Sequence, residues 1–281
     1  MHKQFVPLLV LLAAAVSGCE SLQKAIDAAP QPNARVIGAE LRNLKLNSVD
    51  MIFSVEVSNP YTTELPVAKL AYVLESRGTN LLEGAIEPTG GIPARGRSVI
   101  QLPARITFET LLATLKDAKP GSVVPWRAEF IVAVDAPLIG RMNLPITRRG
   151  DLPVPTMPNV EVAAFDLGSL SLDKADAVAT LKFTNTNRFA IDLKRLGLTL
   201  DLGDSPVART SVSNTGRIAA GDSATIKVPI SFSPRAFGIP LFNLLKGDAA
   251  NYKLAGSIQA DTAYAPLSAP FNSSGRIKIG R

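Results

Sequence analysis

Slid against itself by 126 residues, this chain matches without gaps over most of its length. Identical pairs include Val36/Val162, Leu41/Leu167, Leu44/Leu170, Asp50/Asp176, Asn59/Asn185, Leu70/Leu196 and Leu74/Leu200. They continue through Gly90/Gly216, Ile92/Ile218, Pro103/Pro229, Gly121/Gly247 and Asp135/Asp261. A repeat of this period means one folding unit used twice. Inside each unit the apolar residues alternate with polar ones: Val49-Met51-Phe53-Val55-Val57 in the first copy, Ala175-Ala177-Ala179-Leu181-Phe183 in the second. The same holds for Trp126-Ala128-Phe130-Val132-Val134 and for Tyr252-Leu254-Gly256-Ile258-Ala260. Period two puts one face of a strand on a core and the other in water, as in antiparallel sheets.

Turn signals separate the strands: Ser58-Asn59-Pro60, Arg77-Gly78-Thr79-Asn80, Thr89-Gly90-Gly91 and Ala220-Gly221-Asp222. Pro103 and Pro229 fall in the same strand of both copies, which predicts an edge position or a bulge. Each copy has one segment of helical period, Phe108-Leu111-Leu112-Leu115 and Phe237-Leu241-Leu244-Leu245. Short strands with one late helix per copy predict an all-β chain of two tandem β-sandwich domains, at 34–146 and 159–281, each with one short helix. The segment 147–158 (TRRGDLPVPTMP) holds three prolines and is expected to be a stiff Pro-rich linker.

The N-terminus is of another kind. A short basic head precedes an apolar run from Phe5 to Val16 that is too short to span a bilayer and fits a signal-peptide core. Val16-Ser17-Gly18-Cys19 follows, and Cys19 is the only cysteine. This stretch resembles the lipobox of bacterial lipoproteins. That resemblance implies removal of residues 1–18, lipidation of Cys19, a tether over 19–33, and residence in the bacterial cell envelope. Glu20 and Ser21, where aspartate often retains such proteins at the inner membrane, favour the outer membrane facing the periplasm. Two or more acyl chains anchor stably where one binds only marginally. The implied partners are the membrane through Cys19, and envelope proteins or lipids.

His2 is the only histidine and lies in the segment expected to be removed. A mature chain without imidazole or free thiol cannot build a Ser-His-Asp, Cys-His or His-rich metal site. No Gly-rich phosphate loop or nucleophile elbow is visible. The expectation is therefore a non-enzyme with no cofactor and no metal. The formal charge of +6 is dispersed, Arg148-Arg149 being the longest basic run, so no nucleic-acid partner is expected.

Asn59-Pro60-Tyr61 closes the first strong strand, and Asn185-Thr186-Asn187 stands at the aligned place in the second copy. With the preceding apolar strand and the following Leu-x-x-x-Leu strands (Leu70/Leu74, Leu196/Leu200), these resemble the Asn-Pro-Asn signature of type 2 late-embryogenesis-abundant proteins, the water-stress and hypersensitive-response domain. Neither copy keeps the whole triplet. The resemblance implies an immunoglobulin- or fibronectin-III-like sandwich, protection against desiccation and other stress, and lipid binding. The residues themselves suggest structure first, because asparagine ends a strand well through an Asx turn. The functional expectation is a membrane-anchored, non-catalytic lipoprotein of stress protection or envelope maintenance. The alternative is a periplasmic carrier of lipid or another hydrophobic ligand, whose sandwich would have to open along an edge into an apolar groove.

Overall fold

In the computed structural model, residues 30–137 and 139–280 are described. The expected signal segment, Cys19 and most of the tether lie outside them. The first copy runs β1 (Asn33–Arg42), β2 (Ser48–Ser58), β3 (Leu65–Ser76), β4 (Thr79–Ile86), β5 (Gly91–Ile92), β6 (Arg97–Thr107), α1 (Phe108–Thr114), β7 (Val123–Ala136) and β8 (Gly140–Pro153). The second runs β9 (Asn159–Leu170), β10 (Ala175–Thr184), β11 (Ile191–Leu202), β12 (Ser205–Ile218), β13 (Ser223–Phe232), a 3-10 turn (Pro234–Phe237), α2 (Ile239–Lys246), β14 (Ala249–Asp261) and β15 (Leu267–Gly280). The sequence offset survives as structure. Shifting β3 by 126 residues lands on the bounds of β11, and β7 starts at the residue matching the start of β14.

Each copy is a sandwich of two sheets. In the first, β1-β2-β6 faces β4-β3-β7-β8, with β5 paired to β3. In the second, the equivalent sheets merge into one seven-stranded order, β12-β11-β14-β15-β9-β10-β13. They merge because the end of β15 pairs in parallel with β9 at Ile279–Phe165 and Gly280–Asp166. The other strand pairs are antiparallel. The alternating residues do what their period requires. Val49, Met51, Phe53, Val55 and Val57 are fully buried, as are Leu70, Leu74, Leu196 and Leu200. Phe53 meets Trp126 and Phe130 edge-on at 5.6 and 4.9 Å between ring centres, and Phe183 meets Phe271 at 6.3 Å. Edge-to-face rings add to the burial of their area.

Pro103 and Pro229 sit on edge strands, opposite Ile52 and Val178, with no break of register in either pairing. The edge expectation holds and no bulge is needed. A proline on an edge also blunts pairing with a foreign strand.

One expectation is corrected. The stiff linker expected over 147–158 is strand through Pro153, because β8 keeps pairing with β7 up to Pro153–Val123. Leu152, Pro153, Val154 and Pro155 are all buried, so only 154–158 connects the copies. The two helices differ in register, as the apolar spacings at 108–115 and 237–245 place them. At the place matching α1, the second copy forms the 3-10 turn, and α2 begins five residues later. Pro240 sits in the first turn of α2. A proline there has no N–H to give and clashes with a preceding turn of helix, so it sets the start.

Candidate functional site

The two motif asparagines directly follow β2 and β10, and both are buried, Asn59 at 3% exposure and Asn185 at 0%. The Asn59 side-chain amide nitrogen donates to the carbonyls of Thr63, Ile92 and Pro93 at 2.8, 2.9 and 3.0 Å. Its Oδ1 accepts from the backbone N–H of Tyr61 at 2.9 Å, which is an Asx turn. Asn185 repeats the arrangement at the matching residues. Its amide donates to the carbonyls of Phe189, Ile218 and Ala219, and its Oδ1 accepts from the backbone N–H of Asn187 at 3.1 Å. The main chain adds a second tie in each copy, Asn59 N–H to Gly96 O and Asn185 N–H to Asp222 O. One side chain thus ties its own loop to the turn 33 and 34 residues further on. Its hydrogen-bonding capacity is consumed by these internal partners, leaving nothing aimed at a ligand.

Within the motifs the third position differs. Tyr61 is half-buried and its hydroxyl, shielded from water, has no partner among the described residues. Asn187 is 1% exposed and works between the copies. It accepts from the N–H of Thr156 at 2.8 Å, donates to the carbonyl of Thr156 at 3.0 Å, and also donates to Asn185 Oδ1 at 2.9 Å. Pro60 and Thr186 fill the second position, and the carbonyl of Thr186 faces the first copy. Gly121, at φ +84°, packs so close that an added Cβ would lie 2.9 Å from that oxygen. Around this contact the backbone is stitched by Arg188 N–H to Gly121 O, Gly121 N–H to Val154 O and Val154 N–H to Ser122 O.

A second tie was invisible in the sequence. Ala265 and Leu267, at the last turn of the second copy, are buried in the hydrophobic core of the first, and Leu267 forms a parallel bridge with Leu44. Alternation marks Leu267 as buried but cannot say in whose core. Thr262 fastens this turn, accepting from the N–H groups of Tyr264 and Ala265 and donating to the Ala265 carbonyl.

The charged repeats are solvated partners. Asp50 pairs with Arg105 at 2.7 Å, Asp176 with Lys174 at 3.0 Å, Asp135 with Arg141 at 2.9 Å, and Asp261 with Lys194 at 3.6 Å. The hydrogen bond from Arg105, then that from Asn43, holds the Asp50 carboxyl below the usual range. Burial raises the Tyr72 hydroxyl. Among the described residues there is no group of three or more His, Cys, Asp or Glu placed to hold a metal, and no helix long and apolar enough to cross a membrane.

A carrier would need an apolar groove between its sheets. Phe53, Phe130, Phe165 and Phe183 fill that space instead. At the open edge between β4 and β6, α1 buries Phe108 and Leu111 and leaves a recess of 140 Å³. Larger hollows are open depressions on the outer faces at matched places, 540 Å³ around Asp50, Ile52 and Pro103, and 430 Å³ around Asp176, Val178 and Pro229.

The family described as "Late embryogenesis abundant protein" matches residues 54–150 and 180–275, one segment per copy. A "Desiccation protectant protein Lea14 homolog" from Glycine max is 27% identical over 131 residues, spanning 47% of this chain and 86% of that protein. "Late embryogenesis abundant protein Lea14-A" from Gossypium hirsutum is 24% identical over 130 residues, 46% of this chain and 86% of its own. The solution structure of AT1g01470 from Arabidopsis thaliana is 23% identical, with a TM-score of 0.39, covering 46% of this chain and 86% of that one. Each of these alignments takes in about one copy.

Proposed function

The chain belongs to the late embryogenesis abundant family, of which it carries the domain twice, and from that premise we propose a non-catalytic protein of desiccation and stress protection, held at a bacterial membrane by lipid on Cys19. The observation that carries the non-catalytic part is the repeated asparagine clamp. The buried asparagines of both copies are spent on holding backbone of the protein itself, and the cores beside them are packed with hydrocarbon. What each sandwich offers a partner is a solvated β surface, suited to non-covalent contact with proteins or envelope components. The desiccation-related names of the plant relatives support the stress role.

The anchor rests on the sequence around Cys19, and the tether ahead of β1 is about 14 residues, a reach of up to roughly 50 Å when extended. The outer membrane, facing the periplasm, is the proposed address. The carrier alternative finds no support between the sheets, where aromatic side chains occupy the space a lipid would need, and we do not adopt it.

A strain lacking the protein should survive drying less well than its parent, with survival restored by the full-length chain. Equal survival of the two strains removes the stress role. Separately, Cys19→Ala should abolish labelling by a fatty-acid analogue and release the protein from membranes. Persistent membrane association of the variant removes the anchor and leaves the stress role standing.

A further inference from the structure

At the seam between the copies lies a recess of 320 Å³ whose charged lining is Arg77, Lys116, Asp117 and Arg188. Its floor includes buried Leu115, Ser122 and Val124. Three cations therefore face one carboxylate. Asp117 is engaged by Arg77 at 3.3 Å, while Lys116 and Arg188 make no ion pair among the described residues. The cations come from both copies. Arg77 stands in the β3–β4 turn at φ +50°, Lys116 follows α1, and Arg188 belongs to the second copy's motif loop, positioned by its N–H bond to Gly121.

The repeat supplies an internal control. In the second copy the residue matching Arg77 is Gly203, so the turn between these strands forms without that charge. Lys116 and Asp117 have no such match, because α2 begins five residues later than α1. Converging like charges cost stability, and an apolar floor strengthens their field. Hydroxyls add to the lining at Thr79 and at Ser122, which accepts from the Lys119 N–H at 3.3 Å, whereas the Thr114 hydroxyl is already committed as donor to the Thr110 carbonyl.

We infer that this seam is a binding site for a small oxyanion, a phosphate-type group held between Lys116 and Arg188 with Arg77 beside them. Charge-assisted bonds to such a group are the strong kind, and guanidinium suits its geometry. Because the lining is drawn from both copies, an occupant also ties one sandwich to the other. The inference stands apart from the stress and anchor readings and needs neither.

The test is a titration of the full chain with inorganic phosphate, at ionic strength held constant with chloride, followed by amide NMR shifts. Saturable shifts at Thr79, Ser122 and Arg188 are expected. Lys116→Gln and Arg188→Gln should each weaken the apparent affinity on the order of three- to tenfold, and the pair should abolish it. Arg209→Gln, an exposed cation on β12, should leave it unchanged. Vesicles of neutral phosphatidylcholine with or without anionic phosphatidylglycerol then identify the source. Binding to anionic vesicles that the Lys116/Arg188 pair of substitutions removes and phosphate displaces assigns a lipid headgroup. Vesicle binding indifferent to those substitutions, with phosphate still saturating the wild type, assigns a soluble oxyanion. Non-saturating shifts spread over all cations, or equal titration of the double variant, overturn the site.

Discussion

Asn185 makes the clearest demand on a single side chain. An amide offers donors and an acceptor together, and the loop uses both. Asn185→Ala removes the donor that the Phe189, Ile218 and Ala219 carbonyls share and should cost about 2–4 kcal/mol. Asn185→Asp keeps the shape but turns an anion toward three carbonyl oxygens, so it should be worse than alanine. Urea unfolding ranks the two; an aspartate variant as stable as wild type would refute the clamp. Asp50 supplies a pH prediction. Its folded pKa lies below the unfolded value near about 4, so its contribution is complete above that value and is lost as pH falls through the lower, folded one. Asp50→Asn should therefore flatten the loss of stability as pH falls below about 4, seen as urea midpoints that converge with wild type in acid. The role of Asn59 and Asn185 was legible beforehand because asparagine after a β run has few uses. That of Asn187 was not, since its partner Thr156 is brought to it only by the packing of one copy on the other.

Among the elements, the turn before β15 is the least expected. It delivers Leu267 to the other copy's core, so Leu267→Ala should destabilise the first sandwich by about 2–5 kcal/mol although the residue belongs to the second. Hydrogen exchange at Val49–Val57 reads this directly: faster exchange there is the expected result, and a change confined to residues 159–280 the opposing one. The strands themselves could be read from the chain, because the 126-residue offset and period two reinforce each other. Two features could not. An end of the first domain at residue 146 misses that β8 runs on to Pro153, because Arg148-Arg149 and the prolines hide the alternation that Met142, Leu144 and Ile146 begin. The merging of the second copy's sheets depends on two residues of parallel pairing, Ile279 and Gly280, which no local pattern announces.

For the whole molecule, the copies form one body with a buried connection. Val154 and Pro155 are buried, Asn187 grips Thr156, Gly121 meets the Thr186 carbonyl, and Leu267 completes the first core. Such coupling makes the duplication a single stiff surface, where a Pro-rich leash would have given two independent ones. It also gives the proposed anion seam a fixed geometry, and it presents both solvated faces in one orientation to whatever they contact when water is scarce. Scanning calorimetry of the full chain tests this coupling most directly. One endotherm is expected, with calorimetric and van't Hoff enthalpies equal, and it should split when Asn187→Ala and Leu267→Ala are combined. Two separate endotherms in the unaltered chain would contradict it.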